Sequence, residues 1–139
     1  MDVNHRITRN NFLKKIGFTG ASLFAIYSLE SCLNEGNITP SGPFTVDLSN
    51  ATYAKLKTNG EFVVVNSVVV ANNNGTYIAA TLRCSHEGLN QITFNNQEWF
   101  CTAHGARFNA AGKGLNSNGS KGLTVFKTSL VGNILTINA

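Results

Sequence analysis

The sequence is short of charge. Lys, Arg, Asp and Glu make up 13% of its 139 residues. From residue 32 onward seven Lys or Arg face five Asp or Glu, scattered singly. That excludes the basic stripe a nucleic-acid binder needs. The formal net charge of +4 arises largely at the front, where Arg6, Arg9, Lys14 and Lys15 are opposed only by Asp2 before residue 29. Long apolar runs are missing too. The longest, residues 16–29, falls short of the roughly 20 residues a membrane-spanning helix needs. There is no internal repeat, and no helical periodicity of useful length follows residue 32. Proline occurs twice, at Pro40 and Pro43, and cysteine three times, at Cys32, Cys84 and Cys101. An odd cysteine count in an exported chain calls for an account of each thiol.

What is present divides the chain into three. Residues 1–31 have the order of an export signal: a basic start, a short apolar stretch, and small residues before a cleavage point. Leu29-Glu30-Ser31-Cys32 resembles a bacterial lipobox. The resemblance implies cleavage before Cys32 and acylation of that residue. The mature protein would then be tethered to a membrane on the periplasmic or cell-surface side. Upstream, Thr8-Arg9-Asn10-Asn11-Phe12-Leu13-Lys14 resembles the twin-arginine export motif, with Asn10 in place of the second arginine. Residues 32–43 are polar, hold both prolines and read as a flexible spacer.

From residue 44 to 139 the pattern is strand and tight turn. Asn59-Gly60 separates the run Tyr53–Lys57 from Glu61–Val70, and Asn74-Gly75 separates that run from Thr76–Arg83. Such pairs accept the positive φ angles of hairpin turns. Asn95-Asn96 is expected to turn Gln91–Phe94 onto Gln97–Phe100, and Gly132-Asn133 to turn Thr124–Leu130 onto Ile134–Asn138. Val, Ile, Thr and aromatic residues fill the runs. The expectation is an all-β domain, an antiparallel sandwich or barrel.

Two segments carry chemistry: Cys84-Ser85-His86-Glu87-Gly88 and Cys101-Thr102-Ala103-His104-Gly105. Each offers a thiolate and an imidazole where a strand gives way to a loop, and in each a glycine permits a sharp bend. Fourteen residues separate His86 from Cys101. Two readings of a metal centre stay open. Two Cys and two His suit a tetrahedral structural zinc in a cell-surface binding module, although zinc sites usually pair Cys with Cys and His with His. Mixed Cys/His pairs suit a two-iron cluster instead. His5, in the leader, is no ligand.

The boxes C-x-H and C-x-x-H resemble those of the Rieske iron–sulfur proteins, and Phe108-Asn109-x-x-Gly112 also fits that family. The resemblance implies one [2Fe–2S] cluster with Cys84, His86, Cys101 and His104 as ligands. It implies an electron carrier or small oxidoreductase subunit, rather than an independent enzyme, serving an unnamed redox partner protein. Four departures from the family stand out. Leu89 and Ala103 occupy the places of the two cysteines that form a loop-stapling disulfide in respiratory members, so no disulfide is expected. Ala106 and Phe108 replace the serine and tyrosine whose hydroxyls bond cluster sulfurs in high-potential members. The potential is therefore expected low in the Rieske span of about −150 to +300 mV. The third segment over the cluster, Gly119-Ser120-Lys121-Gly122, has no proline and is expected to be looser. Arg83 and Arg107 flank the boxes, either as charges that tune the cluster or dock a partner, or as ordinary solvated groups. Trp99 is expected to pack beneath the second loop.

Overall fold

The computed structural model describes residue 40 and residues 42–139. The expectations for the export signal, for acylation of Cys32 and for most of the spacer lie outside the described residues. The described residues belong to the compact unit Asn37–Ala139.

Among the described residues, nine strands form two antiparallel sheets. In chain order they are β1 (Phe44–Asp47), β2 (Phe62–Val65), β3 (Val68–Asn73), β4 (Thr76–Thr81), β5 (Ile92–Asn95), β6 (Glu98–Cys101), β7 (Arg107–Phe108), β8 (Val125–Val131) and β9 (Ile134–Asn138). The larger sheet has the order β1-β9-β8-β4-β3-β2, and the smaller has β5-β6-β7. The all-β expectation holds.

Strand β3 explains how the two cores are divided. Alternate residues of a strand point to opposite faces. Val69 and Ala71 join one core, with Ala80, Ile92, Phe94, Trp99 and Phe108. Val68 and Val70 join the other, with Val46, Leu56, Leu135 and Ile137. The strand is covered on both sides, so it reads as a continuous apolar run without alternation. Cys84 and Cys101 belong to the first core, so one hydrophobic cluster supports both boxes.

Three details differ from the sequence-based expectations. Tyr53–Lys57 is not a strand: Ala51–Lys57 forms a 3-10 helix. Asn50 caps it, its side-chain oxygen accepting from Thr52 N at 2.9 Å. Leu56 anchors it in the second core, where Asn72 Nδ2 donates to the Leu56 carbonyl at 2.9 Å. The run Glu61–Val70 is two strands, because Asn66 and Ser67 turn with φ of 49° and 61°. The turn after β5 sits at Asn96-Gln97, one residue later than expected, with φ of 50° and 64°. Both are hairpin turns with two left-handed residues, and Asn tolerates that conformation better than most residues.

Candidate metal centre

The two boxes fold on one plan. In the first loop Cys84 N donates to Leu89 O at 2.8 Å, and Gly88 N donates to Cys84 O at 2.9 Å. In the second, Cys101 N donates to Ala106 O and Gly105 N to Cys101 O, both at 2.9 Å. Each loop thus closes from the cysteine to the residue five further on. Each turns at a left-handed glycine, with φ of 76° at Gly88 and 70° at Gly105. Gly88 has a second constraint, since a Cβ there would press on the Arg83 guanidinium, 2.9 Å from its Nη2. Only the histidine differs, two residues after Cys84 and three after Cys101. The unequal spacings of the motif are two placements of an imidazole on one loop scaffold.

The β5–β6 hairpin spans the chain between the boxes and holds them side by side. Ile92 pairs with Cys101 in its ladder. Arg83 bridges to Asn90, and Thr102 N donates to Gln91 O at 3.1 Å. All four candidate ligands meet at this end. Cys84 and Cys101 are buried free thiols. The rings of His86 and His104 lie edge to face with centroids 5.4 Å apart. His86 is half-buried and His104 exposed.

The donor set asks for a metal. Burial pushes the Cys84 thiol up, the adjacent Cys101 thiol adds to this, and the backbone N–H groups of His86 and Glu87 pull it back down. Two buried thiols side by side can ionise only with positive charge between them, which a metal supplies. His86 Nδ1 is buried and has no hydrogen-bond partner. Buried polar atoms are rarely left so, and a metal bond would satisfy this one.

Donors around a tetrahedral zinc lie within about 4 Å of one another, given bond lengths near 2.0–2.3 Å. Among the described residues, the three side chains whose ligand atoms fall within 4.8 Å of one another are His86, Glu87 and His104. No three of Cys84, His86, Cys101 and His104 do so. The thiol pair and the imidazole pair are thus set apart, which suits a centre of two irons.

Several residues of the site leave no signal in the sequence. Glu87 Oε2 lies 3.3 Å from His104 Nδ1. The third segment is hydrogen-bonded to both boxes. Asn118 Nδ2 donates to the His104 carbonyl at 2.7 Å, and Lys121 Nζ to the His86 carbonyl at 3.3 Å. Asn116 donates to Gly105 O at 2.7 Å and accepts from Arg107 N and Gly119 N at 3.1 and 3.0 Å. Side-chain amides and an ammonium thus hold both boxes where the family uses proline. Arg107 is taken up by Glu98 in a two-point ion pair, Nε to Oε2 at 2.9 Å and Nη2 to Oε1 at 3.0 Å, so its charge is answered locally. Trp99 is fully buried, as expected, with its ring 4.9 Å from that of Phe94.

Paired loops, two thiols and two imidazoles are the donors that a metal centre of mixed sulfur and nitrogen ligation would use. The chain belongs to the Rieske [2Fe–2S] domain family, whose model matches residues 43–127. Of the curated proteins none matches the sequence. Among solved structures, the cyanobacterial plasma membrane Rieske protein PetC3 from Synechocystis PCC 6803 is similar at 29% identity. The likeness covers 62% of this chain and 93% of that one, with a TM-score of 0.50. The ferredoxin of carbazole 1,9a-dioxygenase from Nocardioides aromaticivorans IC177 shares the fold at 20% identity, over 70% of this chain and 97% of its own, with a TM-score of 0.52. Membership brings one [2Fe–2S] cluster and an electron-transfer role.

Proposed function

We propose that Cys84 and Cys101 hold one iron of the cluster, that His86 and His104 hold the other, and that the protein is a one-electron carrier tethered to a membrane by lipid on Cys32. The observation that carries the ligand assignment is the buried, unpartnered His86 Nδ1 beside a separate pair of buried thiols. The cluster, when bound, accepts and returns one electron. The protein's own part is to exclude water from the thiol side, to orient the imidazoles through their backbone carbonyls, and to present one ring outward. The exposed His104 is the point from which a partner protein exchanges the electron.

Purified protein is expected to be red-brown, with a Rieske EPR signal on reduction. Replacing His86 or His104 with Ala should abolish that signal. A colourless protein with stoichiometric zinc, or a signal that survives either replacement, would falsify the assignment.

The lipid anchor rests on the lipobox-like residues Leu29 to Cys32 and on the plasma-membrane location of the similar PetC3 protein. Among the described residues no helix is long and apolar enough to cross a membrane. In the native host the protein should fractionate with membranes, and Cys32→Ser should release it. Retention of that variant in the membrane would refute the anchor.

A further inference from the structure

A cavity of about 500 Å³ opens against the outer side of the first cluster loop. It reaches the ligand loop directly, since Cys84, Ser85 and His86 all contribute to its wall. Its size is that of a small-molecule site, which typically measures about 300–1,000 Å³. The rest of the wall is of two kinds. It includes the apolar Leu123, Phe126 and Pro40 and the cations Arg83 and Lys121. Among the described residues of the lining Glu87 is the one acid, and its carboxylate is turned to His104. Lys121 forms no ion pair among the described residues, and its ammonium donates to the His86 carbonyl.

We infer that this cavity binds a small carboxylate with an apolar body, and that its occupancy is coupled to the oxidation state of the cluster. The inference rests on the proposed cluster ligands. The anionic head pairs with Lys121, and the body lies on Leu123 and Phe126. Coupling follows from the position of Lys121. Its positive charge stands one hydrogen bond from the backbone of a ligand histidine, where it favours the reduced, more negative cluster. A bound carboxylate answers that charge and withdraws the support. The oxidised protein therefore binds the carboxylate more tightly than the reduced protein does. By linkage, the carboxylate lowers the potential by the same free energy.

The probes are benzoate, benzyl alcohol and inorganic sulfate at constant ionic strength, applied to the cluster-loaded protein. Calorimetry reads the cavity, the visible spectrum reads the cluster, and redox titration reads their coupling. Benzoate is expected to bind saturably and to prefer the oxidised form by about fivefold, which a one-electron couple reports as a fall of about 40 mV. Benzyl alcohol and sulfate should leave the potential unmoved. Lys121→Gln should weaken benzoate binding and abolish the shift in potential that benzoate produces. The inference is overturned if benzoate neither binds nor shifts the potential of the unmodified protein. It is equally overturned if sulfate produces the same shift, because the apolar wall would then play no part. Binding of benzoate without any shift overturns the coupling. A colourless protein overturns the cluster assignment and the coupling together.

Discussion

Asn118 donates its side-chain amide to the carbonyl of His104 at 2.7 Å, so a residue outside both boxes holds the backbone of one imidazole. Asn118→Ala removes that donor, and a lost hydrogen bond of this kind costs about 0.5–1.5 kcal/mol. The site is exposed, which favours the low end. The effect should appear as faster bleaching of the cluster absorbance on mild heating with a chelator. Asn138→Ala, at the far end of the chain on β9, serves as control. Equal bleaching rates in the two variants would show that the clamp contributes nothing.

Ala106 and Phe108 are fully buried next to the second box and carry no hydroxyl. Hydrogen bonds to cluster sulfurs raise the potential. The unmodified protein should titrate in the lower part of the Rieske span, about −150 to +300 mV. Ala106→Ser combined with Phe108→Tyr should raise the midpoint, as read by redox titration. A midpoint near the top of the span in the unmodified protein would contradict this account.

Trp99 is completely buried, stacks edge to face on Phe94, and donates from its indole nitrogen to Ala110 O at 3.3 Å. It lies in the core that also contains both box cysteines. Trp99→Ala should lower unfolding stability by about 3–5 kcal/mol, as large aromatic truncations in cores do. Trp99→Phe should cost clearly less. Denaturant unfolding of both variants measures the difference, and indistinguishable midpoints would mean that the indole is not tightly packed.

Asp47 has a carboxyl held below its ordinary value of 3.8, chiefly by the Ser49 hydroxyl and secondly by the Ser49 backbone N–H. The two bonds measure 2.6 and 2.8 Å. A depressed folded value means a stabilising contribution that is present above the unfolded value and lost as pH falls through the folded one. Ser49→Ala should move the Asp47 titration upward in an NMR pH series. An unchanged titration would place the cause elsewhere.

The chemistry was legible because it is written in residue types. Four soft or nitrogen donors, two box glycines and a hairpin-length gap admit few arrangements. The β-rich fold was legible from the Val, Ile and Thr runs and from Asn-Gly turns. The 3-10 helix at Ala51–Lys57 was not, since its stability comes from the Asn50 cap and from burial of Leu56 beneath distant strands rather than from any periodic pattern. The Asn66-Ser67 turn was hidden in a long valine run, where neither residue carries the signal of glycine. The third segment was read from the absence of proline, while its hold on the boxes comes from Asn116, Asn118 and Lys121. Such contacts, made over 11 to 35 positions of sequence, leave no local trace.

The shared loop scaffold has a mechanical consequence. Cys84 and Cys101 are free thiols at the two ends of a hairpin, and no disulfide joins the loops. A cluster bonded to both boxes is therefore a covalent clasp, closing the segment between them and depriving the unfolded chain of that freedom. Electron carrier and structural rivet are then the same object. Loss of the cluster would remove that closure together with the redox function.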